Sequence, residues 1–206
     1  ADSTDASYEF TNPAAGQFGS DTAIAGVSGT ATYKGKLFVA TSKTNAAGIY
    51  RYDGGTTWTL VTNAVGKVNS ADTANIDSFT LSVFNGKLFV GTKTDANEAA
   101  IFYTDNADTG TSGTTTWTQV NTTKGTFITT TARDGVDDMV VYNGQLYIIT
   151  QETNAMEVFR YDGGTGAAVF TRISDAIAGE ILSTDATDGD GGVLAVYGGR
   201  LYVGIK

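Results

Sequence analysis

The sequence predicts an all-β protein, a β-propeller of four-stranded antiparallel blades with about three and a half to four blades in this chain. Three observations predict it. A nine-residue pattern returns four times: Tyr-Lys-Gly-Lys-Leu-Phe-Val-Ala-Thr from Tyr33, Phe-Asn-Gly-Lys-Leu-Phe-Val-Gly-Thr from Phe84, Tyr-Asn-Gly-Gln-Leu-Tyr-Ile-Ile-Thr from Tyr142, and Tyr-Gly-Gly-Arg-Leu-Tyr-Val-Gly-Ile from Tyr197. Its turn glycines, Gly35, Gly86, Gly144 and Gly199, are spaced by 51, 58 and 55 residues, and periods of this size mark repeat folds. Composition agrees: Gly occupies 26 positions and charged residues make up 17%, a mixture that favours strands and tight turns.

Each pattern reads as a hairpin. Asn85-Gly86, Asn143-Gly144 and Gly198-Gly199 supply the positive φ values that a two-residue turn needs to match the twist of its flanking strands. The runs that follow, such as Leu37-Phe38-Val39-Ala40 and Leu146-Tyr147-Ile148-Ile149, are apolar on both faces, as expected of a strand covered on both sides. A third strand is predicted at Ile49-Tyr50-Arg51-Tyr52, Ile101-Phe102-Tyr103-Thr104 and Val158-Phe159-Arg160-Tyr161, each ending at an Asp (Asp53, Asp105, Asp162). A fourth begins at Trp58, Trp117 and Phe170 and alternates polar with apolar, as on an outer strand. One propeller is therefore expected over 1–206, with units at about 22–72, 73–130 and 131–185, a partial unit at 186–206 and an N-terminal strand at 8–21. The last unit has no third strand. That edge, at Leu201-Tyr202-Val203, invites strand addition from a neighbour, against the alternatives of a small closed ring or a longer array.

The turn Asp53-Gly-Gly-Thr-Thr-Trp58 resembles the Asp-box of sialidases and related propellers, with Arg51 where that motif has Ser or Thr. Asp105 to Trp117 carries an insertion, and Asp162-Gly-Gly reaches Phe170 without the Trp. Hairpin and Asp-box together look like kelch-type propellers. The resemblance implies structural roles for Asp53, Asp105 and Asp162, whose carboxylates would accept the amides of their own turns, while the aromatic wedges between blades. Sialidase chemistry would further need an arginine cluster on inner strands. Of Arg51, Arg133, Arg160, Arg172 and Arg200, three fall on expected third or fourth strands, so no inner cluster is expected.

The formal net charge of −9 excludes a phosphate backbone as partner, since that needs clustered cations. There is no Cys and no His, which closes thiol, Ser-His-Asp and zinc-hydrolase mechanisms. No apolar run reaches the roughly 18 residues of a membrane helix, and the first residues do not read as a charged-then-apolar leader, Ala1-Asp-Ser-Thr-Asp5 fitting a mature end; membrane insertion is not expected. An oxygen-ligated ion remains open. Asp185, Asp188 and Asp190, with Asp137 and Asp138, are the calcium candidates, where Asp21, Asp72 and Asp185 each fall fourteen residues before a hairpin Gly and Asp77 stands close to an inner strand. Sugar stacking would fall to Tyr50, Tyr52, Tyr103 or Tyr161, although recurrence at one place per unit fits packing between blades.

The function expected from this reading is a non-enzymatic extracellular structural or assembly module of a surface structure (appendage, surface layer, adhesin or virion surface), self-associating through its terminal strands. A lectin-like propeller that binds glycans and a glycosidase-related fragment are the alternatives, and binding is placed on the face of the longer loops.

Overall fold

The computed structural model describes residues 16–72, 76–94, 98–128, 133–166, 169–174 and 190–206. They form an all-β, propeller-like fold. The first meander is β1 (Gly26–Tyr33), β2 (Lys36–Ser42), β3 (Ile49–Gly54) and β4 (Thr57–Leu60), paired in that order. The second is β5 (Ser78–Phe84), β6 (Lys87–Lys93), β7 (Ile101–Thr104) and β8 (Thr118–Gln119). The third is β9 (Gly135–Tyr142), β10 (Gln145–Gln151), β11 (Val158–Tyr161) and β12 (Phe170–Arg172). A hairpin of β13 (Gly192–Tyr197) and β14 (Arg200–Ile205) follows. All these neighbours are antiparallel, and a ladder pair, Lys93 with Gly135, connects β6 of the second meander to β9 of the third. The inner strands β1, β5, β9 and β13 stand side by side in chain order, each packed on the next.

The hairpins turn through two residues of positive φ: Lys34 and Gly35 (46° and 75°), Asn85 and Gly86 (48° and 71°), Asn143 and Gly144 (48° and 71°), Gly198 and Gly199 (56° and 71°). Both central φ values positive is the geometry whose twist suits a two-residue hairpin. The Thr that ends three of the four patterns also has a structural reason. Thr41, Thr92 and Thr150 are buried, and each hydroxyl accepts the amide of the residue just before the third strand, from Gly48 (2.9 Å), Ala100 (2.9 Å) and Glu157 (3.0 Å). In the fourth pattern Ile205 stands at this position, and β14 pairs with β13 alone among the described residues.

Burial follows the stacking. One core cluster joins Phe38, Ile49, Phe79, Leu88 and Trp117 between the first and second meanders. Another joins Phe89, Ile101, Leu146, Phe159 and Phe170 between the second and third. A smaller one seats Leu194 on Ile149, Met156 and Val158. The far face of the terminal hairpin is open, with Val193, Tyr197 and Tyr202 exposed.

Candidate functional site

Strand direction puts the β1–β2 and β3–β4 turns on one face of the array and the longer connections on the other. On the long-loop face a repeated fastening appears. The amide of Asp77 donates to Lys93 O (2.9 Å), its carbonyl accepts Lys43 N (2.9 Å) and its carboxylate accepts Asn45 N (2.6 Å). Asp190 repeats this with Lys206 O (3.1 Å), Glu152 N (3.0 Å) and Asn154 N (2.7 Å). Asp134 repeats the backbone part with Gln151 O (3.1 Å) and Thr94 N (2.9 Å). Each Asp thus ties the loop of one meander to the entry of the next, and Asn45 and Asn154 adopt the positive φ (56° and 53°) that aims their amides at it.

Asp137 and Asp138 do something different. The β9–β10 ladder pairs Asp138 with Ile149 and Val136 with Thr150, so Asp137 is the extra residue of a β-bulge on an inner strand. A bulge breaks the alternation and re-aims the side chain it carries. Asp137 Oδ2 accepts Gly192 N (3.1 Å) and lies 3.0 Å from Lys206 Nζ. The carboxylate borders a cavity of about 260 Å³ with Gly192, Val193, Gly204, Ile205 and Lys206. The approach is close: a Cβ on Gly191 would fall 2.1 Å from Asp137 Oδ2, and one on Gly192 2.1 Å from Gly204 O. Asp138 spends both oxygens on amides, Met139 N and Leu194 N (each 2.8 Å), and so positions β13. The equivalent bulge on β1 carries Ser28, whose hydroxyl donates to Phe79 O (2.8 Å) and serves packing.

Of the remaining calcium candidates, Asp185 and Asp188 lie outside the described residues, as does the expected strand around Tyr8. Among the described residues no three acidic groups converge as metal ligands. Asp21 binds Lys43 Nζ (2.6 Å) and the Tyr50 hydroxyl (2.8 Å); buried Asp72 pairs with Lys124 of the second meander. Burial, and then the Asp21 carboxylate, push the Tyr50 phenol well above its ordinary range. Tyr50 packs under Phe18 (5.4 Å) and Tyr161 against Phe89 (5.5 Å), while Tyr52 leans on Trp58 (5.0 Å).

At the turns after β3 and β11 the carboxylates meet side chains. Asp53 receives Arg51 Nε (2.7 Å) and Nη2 (2.9 Å), Thr59 Oγ1 (2.6 Å) and Lys36 Nζ (3.0 Å). Arg51 above all holds its carboxyl below the usual range. Asp162 is lowered in the same way by Arg160, then Thr171. Asp105 contributes its carbonyl, to Lys34 Nζ (2.5 Å). The wedge role is visible in Trp117, which is buried and donates Nε1 to Val61 O (3.0 Å) across the first interface.

Two arginines converge away from the inner strands, Arg133 just before β9 and Arg172 on β12. Arg133 and Arg172 both pair with Glu157, Arg172 Nη2 at 2.6 Å, and the side chains of Arg133 and Glu157 are each 2% exposed. The corresponding positions of the first meander are Ile24, Gly48 and Leu60, set by the register of Tyr50 with Leu60 and of Phe159 with Arg172. The repeat therefore folds without these charges. Only the loss of apolar character at three separated positions could have signalled the network in the sequence.

By sequence, no protein-family model and no curated protein matches this chain. By structure it is similar to an α-L-arabinofuranosidase from Clostridium thermocellum, with a TM-score of 0.50 and 13% identity over 88% of this chain. The chain spans 60% of that protein's length. It also aligns with a family 117 glycoside hydrolase produced by the marine bacterium Zobellia galactanivorans, at 13% identity and a TM-score of 0.48, over 86% of this chain and 68% of that one. At such identities the likeness is one of fold alone, an all-β propeller-like fold. The expectation of a non-enzymatic structural module, and with it the exclusion of an enzyme, is corrected by this finding. That exclusion rested on the missing His and on a sialidase constellation, whereas glycoside hydrolysis runs on paired carboxylates and needs neither.

Proposed function

We propose that this chain is a glycosidase-related propeller that acts on glycans through carboxylate chemistry on its long-loop face. The supporting observation is Asp137, a carboxylate pushed out of the ladder by a bulge on an inner strand and turned to a cavity. Bulges recur beside active sites because they re-aim one side chain without disturbing the rest of the sheet. Asp137 is the proposed general base or nucleophile, oriented by Gly192 N and Lys206 Nζ. Asp185 and Asp188, read in the sequence as calcium candidates, are the residues we propose for the second carboxylate that hydrolysis requires.

The test is a panel of umbelliferyl glycosides, α-L-arabinofuranoside first, assayed with the parent, Asp137→Asn, Asp185→Asn and Asp188→Asn. Hydrolysis that falls on the order of 10²- to 10⁴-fold in Asp137→Asn supports the reading. Hydrolysis at the parent rate in Asp137→Asn, or none on any glycoside, overturns it.

A further inference from the structure

The two inter-meander clefts on the short-turn face are finished differently. Between the first and second meanders the β7–β8 connection fills the cleft. Arg51 Nη1 donates to Ala107 O (2.8 Å) and Gly110 O (2.5 Å), Lys34 Nζ to Asp105 O and Asp108 Oδ1 (3.2 Å), and Ser112 Oγ to Asn63 O (2.5 Å). Between the second and third meanders the β11–β12 connection makes its crossing at Gly166, N to Val120 O (2.8 Å), and a cavity of about 280 Å³ stays open. The register puts Tyr103 where the first meander has Arg51, so the group that recruits the plug is replaced by a ring.

The cavity is amphipathic. Its floor is aromatic, from Phe84, Phe89, Tyr161 and Tyr103, with ring centroids 5.5 to 6.2 Å apart. Tyr103 is the half-buried ring among them, and the Lys87 ammonium lies 3.8 Å above its face. The lip is polar and exposed: the amides of Asn85 and Gln145 and the carboxylate of Asp162. An apolar floor with a few convergent polar groups at the rim suits a small amphipathic ligand. A sugar ring is such a ligand, since its C–H face packs on an aromatic ring while its hydroxyls take amides and carboxylates.

We infer that this cleft is a second glycan-binding site, for one residue of a neutral oligosaccharide, on the face opposite Asp137. The choice of a sugar rests on the glycan reading above; the site does not depend on hydrolysis. Tyr103 is the platform, Asn85 and Gln145 select hydroxyls, and Lys87 moves off the ring as the sugar arrives.

Saturation-transfer NMR with arabinotriose, xylotriose and galactotriose tests this, on the parent, Tyr103→Ala, Gln145→Trp and Asp137→Asn, each checked for an unchanged melting temperature. The expected result is transfer to sugar C–H protons in the parent, of which the cleft's share persists in Asp137→Asn and weakens roughly tenfold in Tyr103→Ala by loss of the stacked ring. Gln145→Trp, at an exposed position, fills the mouth and removes the cleft's share of the transfer even if Tyr103→Ala fails to fold. Transfer unchanged from the parent in Gln145→Trp, or no transfer from any of the three sugars, overturns the inference. Loss of transfer in Asp137→Asn alone places binding on the long-loop face and also overturns it.

Discussion

The interface between the first and second meanders and that between the second and third are built on one backbone plan and closed with different chemistry. At the long-loop end Ile76 caps the first, buried and accepting Ala47 N, while Arg133 holds the same backbone role in the second and brings a charge. At the short-turn end Arg51 anchors a folded connection in the first, and Tyr103 faces an open cavity in the second. The first interface is finished for stability. The second gives up apolar burial at one end and a plug at the other, which is where a repeat protein departs from its own rules for a site.

This contrast can be broken at several points. The largest effect belongs to Glu157→Gln, which removes the buried carboxylate charge that Arg133 and Arg172 share; a loss of about 3–5 kcal/mol is expected in denaturant unfolding. Copying the first meander instead, with Arg133→Ile, Glu157→Gly and Arg172→Leu together, should restore stability to within about 1 kcal/mol of the parent or exceed it. A triple variant as unstable as the single one would show that the charges are part of the fold.

Next is Arg51→Met. It strands Ala107 O and Gly110 O and leaves Asp53 with Thr59 and Lys36 only, and should cost about 2–3 kcal/mol and open the Asp105 to Trp117 connection to limited proteolysis. Cleavage unchanged in this variant would mean that the plug stands without its anchor.

Smaller still is Asp53→Asn, at roughly 1–2 kcal/mol near neutral pH. A carboxyl held below its usual range stabilises the fold above its unfolded value near pH 4 and loses that contribution as pH falls toward its folded value. The fall in parent stability between roughly pH 5 and pH 2 should therefore be shallower in the variant. Asp162→Asn should follow the same direction with less amplitude, because its partner Arg160 is 37% exposed and solvent screens the pair. Equal slopes for parent and Asp53→Asn in acid denaturation would remove Asp53 from the account.

Much of this was legible in the sequence, for physical reasons. The hairpins follow from Asn-Gly and Gly-Gly because few other pairs tolerate two positive φ values. The doubly covered second strands follow from their unbroken apolar runs. The fastening aspartates were harder. Asp77 and Asp190 fall nine residues before their hairpin Gly, but Asp134 falls ten before Gly144. The bulge at Asp137 accounts for the extra residue, so counting back from the turn groups Asp77 with the wrong carboxylates. A bulge leaves no residue signature, and the bulge on β1 holds a serine. The aromatic cleft was hidden for another reason: Tyr103 recurs in step with Arg51 and Arg160, and whether a ring there packs or faces a cavity depends on how the next connection folds.

The most direct measurement is amide-shift mapping by NMR while arabinotriose is added to the full chain. The account predicts shifts that cluster at the second interface, around residues 84–89, 103, 144–145 and 161–164, and at 137, with the first interface silent. Shifts centred on residues 34–38 and 105–117, or none anywhere, would contradict it.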